Sequence, residues 1–132
     1  MIHVIKYAES HDGVTWDKSG VCVPFELGVA QAFSRPAVWV DRFGGYHMWY
    51  SYRCGSGTPY RIGYAQSDDG RTWKRCHDSL NLDVSSAGWD SEMIEYPFIS
   101  EYRGKLKMLY NGNGFGLSGL GWAESSVVVP DA

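Results

Sequence analysis

A ten-residue segment occurs twice in this chain, and a shorter version of it occurs a third time. Residues 64–73 read YAQSDDGRTW, and residues 7–16, which lie 57 positions earlier, read YAESHDGVTW. Residues 121–125, GWAES, repeat the start of the segment, with Ala123 falling 58 positions after Ala65. A period near 57 is too long for most helical repeats, but it suits a four-stranded propeller blade, for which about 40–50 residues is common. The repeat therefore predicts an array of β-sheets built like propeller blades.

The repeated segment has the composition of a β-hairpin. The Ser and Asp side chains of Ser-x-Asp-Gly can bond to nearby backbone N–H groups, and glycine accepts the positive φ that a tight turn requires. We therefore interpret Asp12 and Asp69 as turn-forming residues and not as catalytic ones. A tryptophan follows each turn, and we expect Trp16 and Trp73 to lie in equivalent places beneath the two turns.

A second set of matches extends the repeat across the chain. Pro36 and Pro97 are 61 positions apart, and Met48 and Met108 are 60 positions apart. Both pairs lie in short runs of aromatic and β-branched residues that are bounded by glycine-containing turns, a pattern typical of strands. The sequence therefore predicts an all-β protein with antiparallel four-stranded blades.

The spacing of the matches divides the chain into about two and a half blades. We assign residues 1–132 to a single partial β-propeller domain. Within it, residues 1–17 form a half blade, residues 35–76 a full blade and residues 95–130 the last blade, in which residues 127–129 are interpreted as a final edge strand. Two weakly patterned connectors join these units.

Composition agrees with an all-β fold and argues against several classes of function. Aromatic residues make up 15% of the 132 residues, and the 16 glycines favour short strands and tight turns. The net charge is −3 and the basic residues are scattered, so we expect no nucleic-acid partner. No apolar run has membrane-spanning length and the N-terminal residues belong to the repeat, so we expect a cytoplasmic protein without a membrane partner.

Cysteine and histidine usage predicts neither a metal site nor a cofactor. Cys22, Cys54 and Cys76 have no metal-ligand spacing, and we interpret them as free thiols in a reducing compartment. His47 is matched in the repeat by Lys107. We therefore expect the His47 side chain to be exposed to solvent and not to bind a metal. Aromatic side chains combined with carboxylates suit an uncharged polyhydroxy ligand better than a charged one.

Several motifs together resemble a known superfamily. They are SRP at residues 34–36, YHMWYS at 46–51, YRIGYA at 60–65, WDSEMIEYP at 89–97 and MLYNGNG at 108–114. The set is similar to the five-bladed β-propeller superfamily of glycoside hydrolases that contains β-fructosidases and arabinanases, and is closest to its uncharacterised glycosidase-like members. Members of that superfamily are more than twice as long, so the resemblance implies a chain that corresponds to the later part of such a propeller.

The resemblance implies a site built from carboxylates on the inner strands of the blades. The segment EYP at residues 95–97 is similar to the Glu-x-Pro that carries the general acid in fructosidase-like members, which makes Glu95 the candidate catalytic residue. Aromatic neighbours in the sequence would raise the pKa of its carboxyl group, as a general acid requires. The alternative is that Glu95 closes the second connector and caps a backbone N–H.

A second carboxylate motif of the superfamily, often Arg-Asp-Pro, is altered here to Ser-Arg-Pro at residues 34–36. The restriction on residues before proline favours an extended Arg35 on an inner strand. From there Arg35 would bind sugar hydroxyls or a carboxylate, or it would pair with Glu95. The candidate ligand-binding residues are Arg35, Trp89, Asp90 and Glu92.

Three functions follow from this set of residues. A glycosidase needs two carboxyl groups about 5–9.5 Å apart, and the nucleophile or base of the superfamily usually lies in the first blade, which is absent here. We therefore expect a glycosidase-like propeller fragment that binds carbohydrate without efficient hydrolysis. The alternatives are a glycoside hydrolase whose site is completed by oligomerisation, and a protein-interaction module.

The number of blades also predicts assembly. Closed propellers have 4–8 blades, and an unclosed array leaves apolar sheet faces in water. We therefore expect a homo-oligomer, either a dimer or a trimer.

Overall fold

The regular secondary structure of the described residues is almost entirely antiparallel β-strand. The computed structural model describes residues 1–76 and 79–128, with side chains to residue 125. The strands are β1 (Lys6–Glu9), β2 (Asp17–Val21), β3 (Ala32–Val40), β4 (Tyr46–Arg53), β5 (Arg61–Ser67), β6 (Lys74–Arg75), β7 (Glu95–Tyr102), β8 (Lys105–Asn111) and β9 (Leu120–Val128), with one helical turn, α1 (Asn113–Gly116). The all-β prediction is confirmed.

The nine strands of the described residues form three consecutive sheets. β1 and β2 make a two-stranded sheet, β3 to β6 a four-stranded sheet, and β7 to β9 a three-stranded sheet, each in simple antiparallel order. The predicted edge strand at residues 127–129 is not separate at its start, because β9 runs without a break from Leu120 to Val128. The end of the predicted edge strand, at residue 129, lies outside the described residues.

The two larger sheets share one register. In the second sheet Met48 pairs with Ala65 and Tyr50 with Gly63. In the third sheet Met108 pairs with Ala123 and Tyr110 with Gly121, at the corresponding positions. A Cβ atom on Gly63 would lie 2.6 Å from the Tyr50 ring, so a glycine opposite the tyrosine is needed for the ring to lie across the neighbouring strand.

The two Ser-x-Asp-Gly turns have matching hydrogen bonds. Asp12 Oδ1 accepts from the N–H groups of residues 14 and 15 at 2.8 and 2.7 Å. Asp69 Oδ1 accepts from the N–H groups of residues 71 and 72 at the same distances. The two aspartates are therefore turn-forming residues, as predicted.

The tryptophans after these turns differ, contrary to the prediction. Trp73 is 5% exposed, and its indole N–H donates to Gly70 O at 3.1 Å. Trp16 is 53% exposed. The difference arises because Trp73 packs in a core between the first two sheets, on the edge of the Tyr46 ring, whereas Trp16 belongs to neither core cluster of the described residues.

Two cores lie on either side of the second sheet. Because successive side chains of a strand point to opposite faces, β4 sends Met48 and Tyr50 into the core shared with the N-terminal residues. It sends Trp49 into the core shared with the third sheet, where Ile94 and Met108 also lie. β4 is therefore buried on both faces and fixes the arrangement of all three sheets. Among the described residues, no helix has the length and apolar character needed to cross a membrane.

Candidate functional site

The first strands of the two larger sheets, β3 and β7, are interrupted at the same place. β3 loses its regular pairing with β4 between Ser34 and Ala37, and β7 loses its pairing with β8 between Glu95 and Phe98. Each interruption contains a proline, which has no N–H to donate to the ladder. The two inner strands therefore carry equivalent bulges, and these bulges position the candidate site.

The residue before each proline has a left-handed backbone. Arg35 has a φ of 46° and Tyr96 a φ of 55°. The expectation that Arg35 is extended is therefore wrong, because the bulge overrides the preference of residues before proline. Positive φ in non-glycine residues is uncommon and costs about 1–3 kcal/mol, and such strain clusters at functional sites. The strain occurs here in both repeats.

Glu95, just before the second bulge, is completely buried. Neither carboxyl oxygen has a hydrogen-bond partner in the structure. Burial raises the pKa of Glu95 to about 7, although the positive charges of Arg35 and Arg53 act in the opposite direction. Near neutral pH this carboxyl group can therefore donate or accept a proton, which is the property required of a general acid or base.

Ser34 occupies on β3 the place that Glu95 occupies on β7. Each residue is two positions before the bulge proline and is the last paired residue before the bulge. The Ser34 hydroxyl is also buried without a partner. β3 and β7 contact each other, so two neighbouring inner strands carry three unpartnered buried oxygen atoms. Buried polar groups are nearly always hydrogen-bonded, and each exception needs an explanation such as a catalytic role.

A set of stacked cations and rings accompanies Glu95, and we call it the arginine–aromatic cluster: Arg35, Arg53, Tyr60, Tyr96 and Phe115. The Arg35 guanidinium carbon is 4.2 Å from the centre of the Tyr96 ring, and that of Arg53 is 4.7 Å from the centre of the Tyr60 ring. The Phe115 ring lies 6.3 Å from Tyr60 and 6.4 Å from Tyr96, so it joins the two pairs. The cluster thus brings two cations, both acting on Glu95, onto a continuous aromatic surface.

One hydrogen bond fixes the second sheet to the bulge of the third. The Tyr96 N–H donates to the buried Ser51 hydroxyl at 2.7 Å. Ser51 is the pairing partner of Ser34 on β4. The unusual backbone of Tyr96 is therefore supported by the strand next to the one that carries Arg35.

Trp89 and Asp90 belong to a different set of contacts. The Trp89 ring stacks on Tyr110 with centres 5.6 Å apart, and it lies where side chains on Gly112 and Gly121 would be. The buried Asp90 carboxylate accepts a hydrogen bond from the Tyr110 hydroxyl at 3.3 Å. These residues attach the second connector to the hairpin formed by β8 and β9, and their role in ligand binding stays a prediction.

Glu92 is held mainly through its backbone. Its N–H donates to the Asn113 side chain at 2.8 Å, and its carbonyl accepts from Arg61 at 2.8 Å, while its side chain is exposed. Of the four predicted ligand-binding residues, Arg35 is the one whose charge acts on Glu95, where it lowers the pKa of the carboxyl group. Arg53, Tyr60 and Phe115 were not predicted, because their proximity arises from three different strands and loops and leaves no signal in the spacing.

A separate cavity of about 640 Å³ lies between the second and third sheets and does not include Glu95. In it His47 Nε2 lies 3.0 Å from the Asp41 carboxylate, and His47 Nδ1 lies 2.6 Å from the Tyr64 hydroxyl. Gln66 completes the chain by donating to the Tyr64 oxygen at 2.8 Å. Because these groups satisfy one another, we interpret the network as structural and place the candidate site at Glu95.

Comparison with known proteins gives relatives of greater length. No family model matches the chain. Two uncharacterised proteins of Mycobacterium tuberculosis, from strains CDC 1551 and H37Rv, are each 44% identical over 122 residues, which is 92% of this chain and 40% of the relative. The chain therefore spans about 40% of the length of the curated relatives it matches.

Solved structures with a similar fold are glycoside hydrolases. A protein described as a glycoside hydrolase aligns over 94% of this chain and 38% of its own, with a TM-score of 0.65 and 18% identity. An exo-1,5-alpha-L-arabinanase from a bovine ruminal metagenomic library aligns over 83% and 36%, with a TM-score of 0.53 and 19% identity. A family 117 glycoside hydrolase of Zobellia galactanivorans aligns over 78% and 36%, again with a TM-score of 0.53 and 19% identity. These likenesses confirm the predicted fold: the chain has the architecture of part of a β-propeller.

Proposed function

We propose that this chain is the carbohydrate-binding part of a glycosidase-like β-propeller, with its ligand site at Glu95 and Arg35. The observation that carries the proposal is the buried Glu95 carboxyl group, both of whose oxygens lack a hydrogen-bond partner. Sugar hydroxyls donate and accept hydrogen bonds, so a bound sugar would satisfy these oxygens and the neighbouring Ser34 hydroxyl. The aromatic rings of the cluster suit the apolar faces of a sugar.

Efficient hydrolysis is not part of the proposal. A glycosidase requires a second carboxyl group close to the first. The charged side chains of the described residues that act on Glu95 are the cations Arg35 and Arg53. One carboxyl group flanked by two cations can bind and polarise a sugar, but it lacks the nucleophile or base of the usual reaction.

A glycosidase completed by another copy of the chain is the second candidate. It is favoured by an exposed apolar row on the outer face of the third sheet, where Phe98 pairs with Leu109 and Leu109 with Trp122. These side chains are 60%, 55% and 59% exposed, respectively. Such a face suits packing against another blade, and a dimer or trimer would supply that blade. A different protein could cover the same face equally well.

A glycan array separates these functions. We expect the purified protein to bind specific glycans. Glu95→Gln should bind them at least about tenfold more weakly, because a hydrogen bond to a charged group contributes more than one to a neutral group. Glu101→Gln, which changes an exposed carboxylate on the same strand, serves as the matched control and should bind like the wild type. Absence of glycan binding by the folded protein would refute the proposal.

An aryl-glycoside assay then tests for hydrolysis. We expect little or no release of chromophore by the wild type. Release that increases with protein concentration and is lost in Glu95→Gln would favour the enzyme completed by oligomerisation. Robust release that survives Glu95→Gln would exclude Glu95 as the acid.

A further inference from the structure

Arg35 and Arg53, like Arg42 and Arg103, form no ion pair with a carboxylate among the described residues, but unlike those two they both act on the Glu95 carboxyl group. Three other arginines lie within ion-pair distance of carboxylates: Arg61 with Asp83, Arg71 with Glu9, and Arg75 with Glu26. Among the described residues, neither Arg35 nor Arg53 forms such a pair. Each guanidinium lies instead on a tyrosine ring. A cation held on a ring keeps its N–H edges available for a planar anion.

The charge balance at Glu95 is therefore positive. Two arginines act on one carboxyl group, whose charge is itself partly suppressed by burial. The chain as a whole is acidic, with a net charge of −3. The local positive charge therefore lies where two arginines without a salt bridge act on a carboxyl group whose oxygens, like the Ser34 hydroxyl, lack a hydrogen-bond partner.

We infer that the site binds a sugar that carries a carboxylate, that is, a hexuronic acid residue, with the carboxylate held by Arg35 and Arg53 and the hydroxyls bonded to Glu95 and Ser34. This inference rests on the proposed function and names the substrate class of the same site. Arginine is suited to the role because its planar fork bonds a carboxylate through two parallel N–H groups. The composition of the chain favours an uncharged ligand, but composition does not reveal that the fold brings both Arg35 and Arg53 to act on Glu95.

The aromatic rings support the sugar part of the inference. Tyr60 and Tyr96 hold the two guanidinium groups, and the Phe115 ring between them is 57% exposed. An exposed ring beside hydrogen-bonding groups offers a surface for the apolar face of a pyranose. A small carboxylate such as acetate has no such face and would leave this ring and the buried oxygens without a partner.

Calorimetry with four sugars tests the inference. D-Galacturonate and D-glucuronate are compared with D-galactose and D-glucose, using wild type, Arg35→Gln, Arg53→Gln and Glu95→Gln. Arg42→Gln is the control, because Arg42 also lies 4.7 Å from a ring centre, that of Phe43, at a remote turn. We expect uronates to bind more tightly than the neutral sugars, and each of the Arg35 and Arg53 variants to lose about 10- to 100-fold in affinity, while Arg42→Gln is unchanged.

The outcomes distinguish the two proposals. Neutral sugars that bind as well as uronates, with binding lost in Glu95→Gln but kept in the two arginine variants, would overturn the anionic class and leave the proposed function standing. No binding of any sugar by the folded protein would overturn both. Acetate that competes as strongly as galacturonate would show an anion site without sugar recognition and would also overturn the inference. Circular dichroism of each variant establishes that it is folded.

Discussion

At the scale of single residues, two thiols of this chain differ in their surroundings. Cys54 Sγ lies 2.8 Å from the Ser56 hydroxyl and 3.0 Å from the Thr58 hydroxyl. These hydrogen bonds lower the pKa of Cys54 to about 7, whereas burial raises the pKa of Cys22. Since the thiolate is the reactive form, the two residues should differ in alkylation rate.

We expect iodoacetamide at pH 7.4 to modify Cys54 about tenfold faster than Cys22, because the larger thiolate fraction outweighs the lower nucleophilicity of each thiolate. Peptide mapping by mass spectrometry over time gives both rates in one sample. Ser56→Ala should slow the reaction of Cys54 by removing one of its hydrogen bonds. Equal rates for the two cysteines would contradict this account.

The Glu95 carboxyl group makes a pH-dependent contribution to stability. Its folded pKa of about 7 lies above the ordinary value of 4.5, so the folded state binds the proton more tightly than the unfolded state. The stability is therefore fully present below the unfolded pKa and is lost as the pH rises through the folded pKa. The window runs from about pH 4.5 to pH 7.

We expect urea denaturation to show wild-type stability falling relative to Glu95→Gln between pH 5 and pH 8, since glutamine cannot ionise. Glu92→Gln is the control, because its side chain is exposed, and it should follow the wild type. A difference between wild type and Glu95→Gln that is constant with pH would show that Glu95 ionises normally.

At the scale of strands and hairpins, the two larger sheets depend on a glycine opposite a tyrosine. Gly63→Ala would place a methyl group 2.6 Å from the Tyr50 ring, inside a fully packed core. Overpacking of this kind costs about 1–3 kcal/mol. Gly20 lies in the exposed strand β2 with nothing near its potential Cβ atom, so Gly20→Ala is a matched control.

We expect Gly63→Ala to lower the free energy of unfolding by about 1–3 kcal/mol and Gly20→Ala to change it by less than about 0.5 kcal/mol. Denaturant titration of both variants measures the difference. Equal stabilities would mean that Tyr50 can move away at no cost, and the ring would then not be fixed by this pairing.

Sequence reasoning succeeded where the fold repeats a local pattern. The Ser-x-Asp-Gly turns and the matched registers of β4 and β8 could be predicted, because local hydrogen bonds and alternation determine them. The left-handed backbone of Arg35 could not be predicted, because it depends on a bulge. Residues before proline ordinarily prefer an extended backbone, which points to the opposite conformation.

The candidate site was predictable only in part. Glu95 and Arg35 were found from the proline motifs that they precede. Arg53 ends strand β4, Tyr60 lies in the following loop and Phe115 lies in the helical turn α1, so their meeting depends on the packing of the sheets. The burial of Trp16 was predicted wrongly because the repeat preserves its turn but not the neighbouring sheet that covers Trp73.

At the scale of the whole molecule, the exposed row of Phe98, Leu109 and Trp122 should determine association. We expect the wild type to sediment as more than a monomer at micromolar concentration, and Leu109→Lys to shift the population toward the monomer of 14.8 kDa. Phe43→Lys is the control, since Phe43 is 83% exposed at a remote turn. A folded wild-type monomer at these concentrations would contradict the prediction.

The most direct test of the central claim is the carboxyl signal of Glu95, followed by carbon-13 NMR in protein labelled at glutamate side chains and assigned with Glu95→Gln. The account predicts a signal that titrates near pH 7 and that moves when D-galacturonate or another sugar bound on the array is added, while the signal of the exposed Glu101 does not respond to the sugar. A Glu95 signal that titrates near 4.5 and is unaffected by every bound sugar would contradict the assignment of the site.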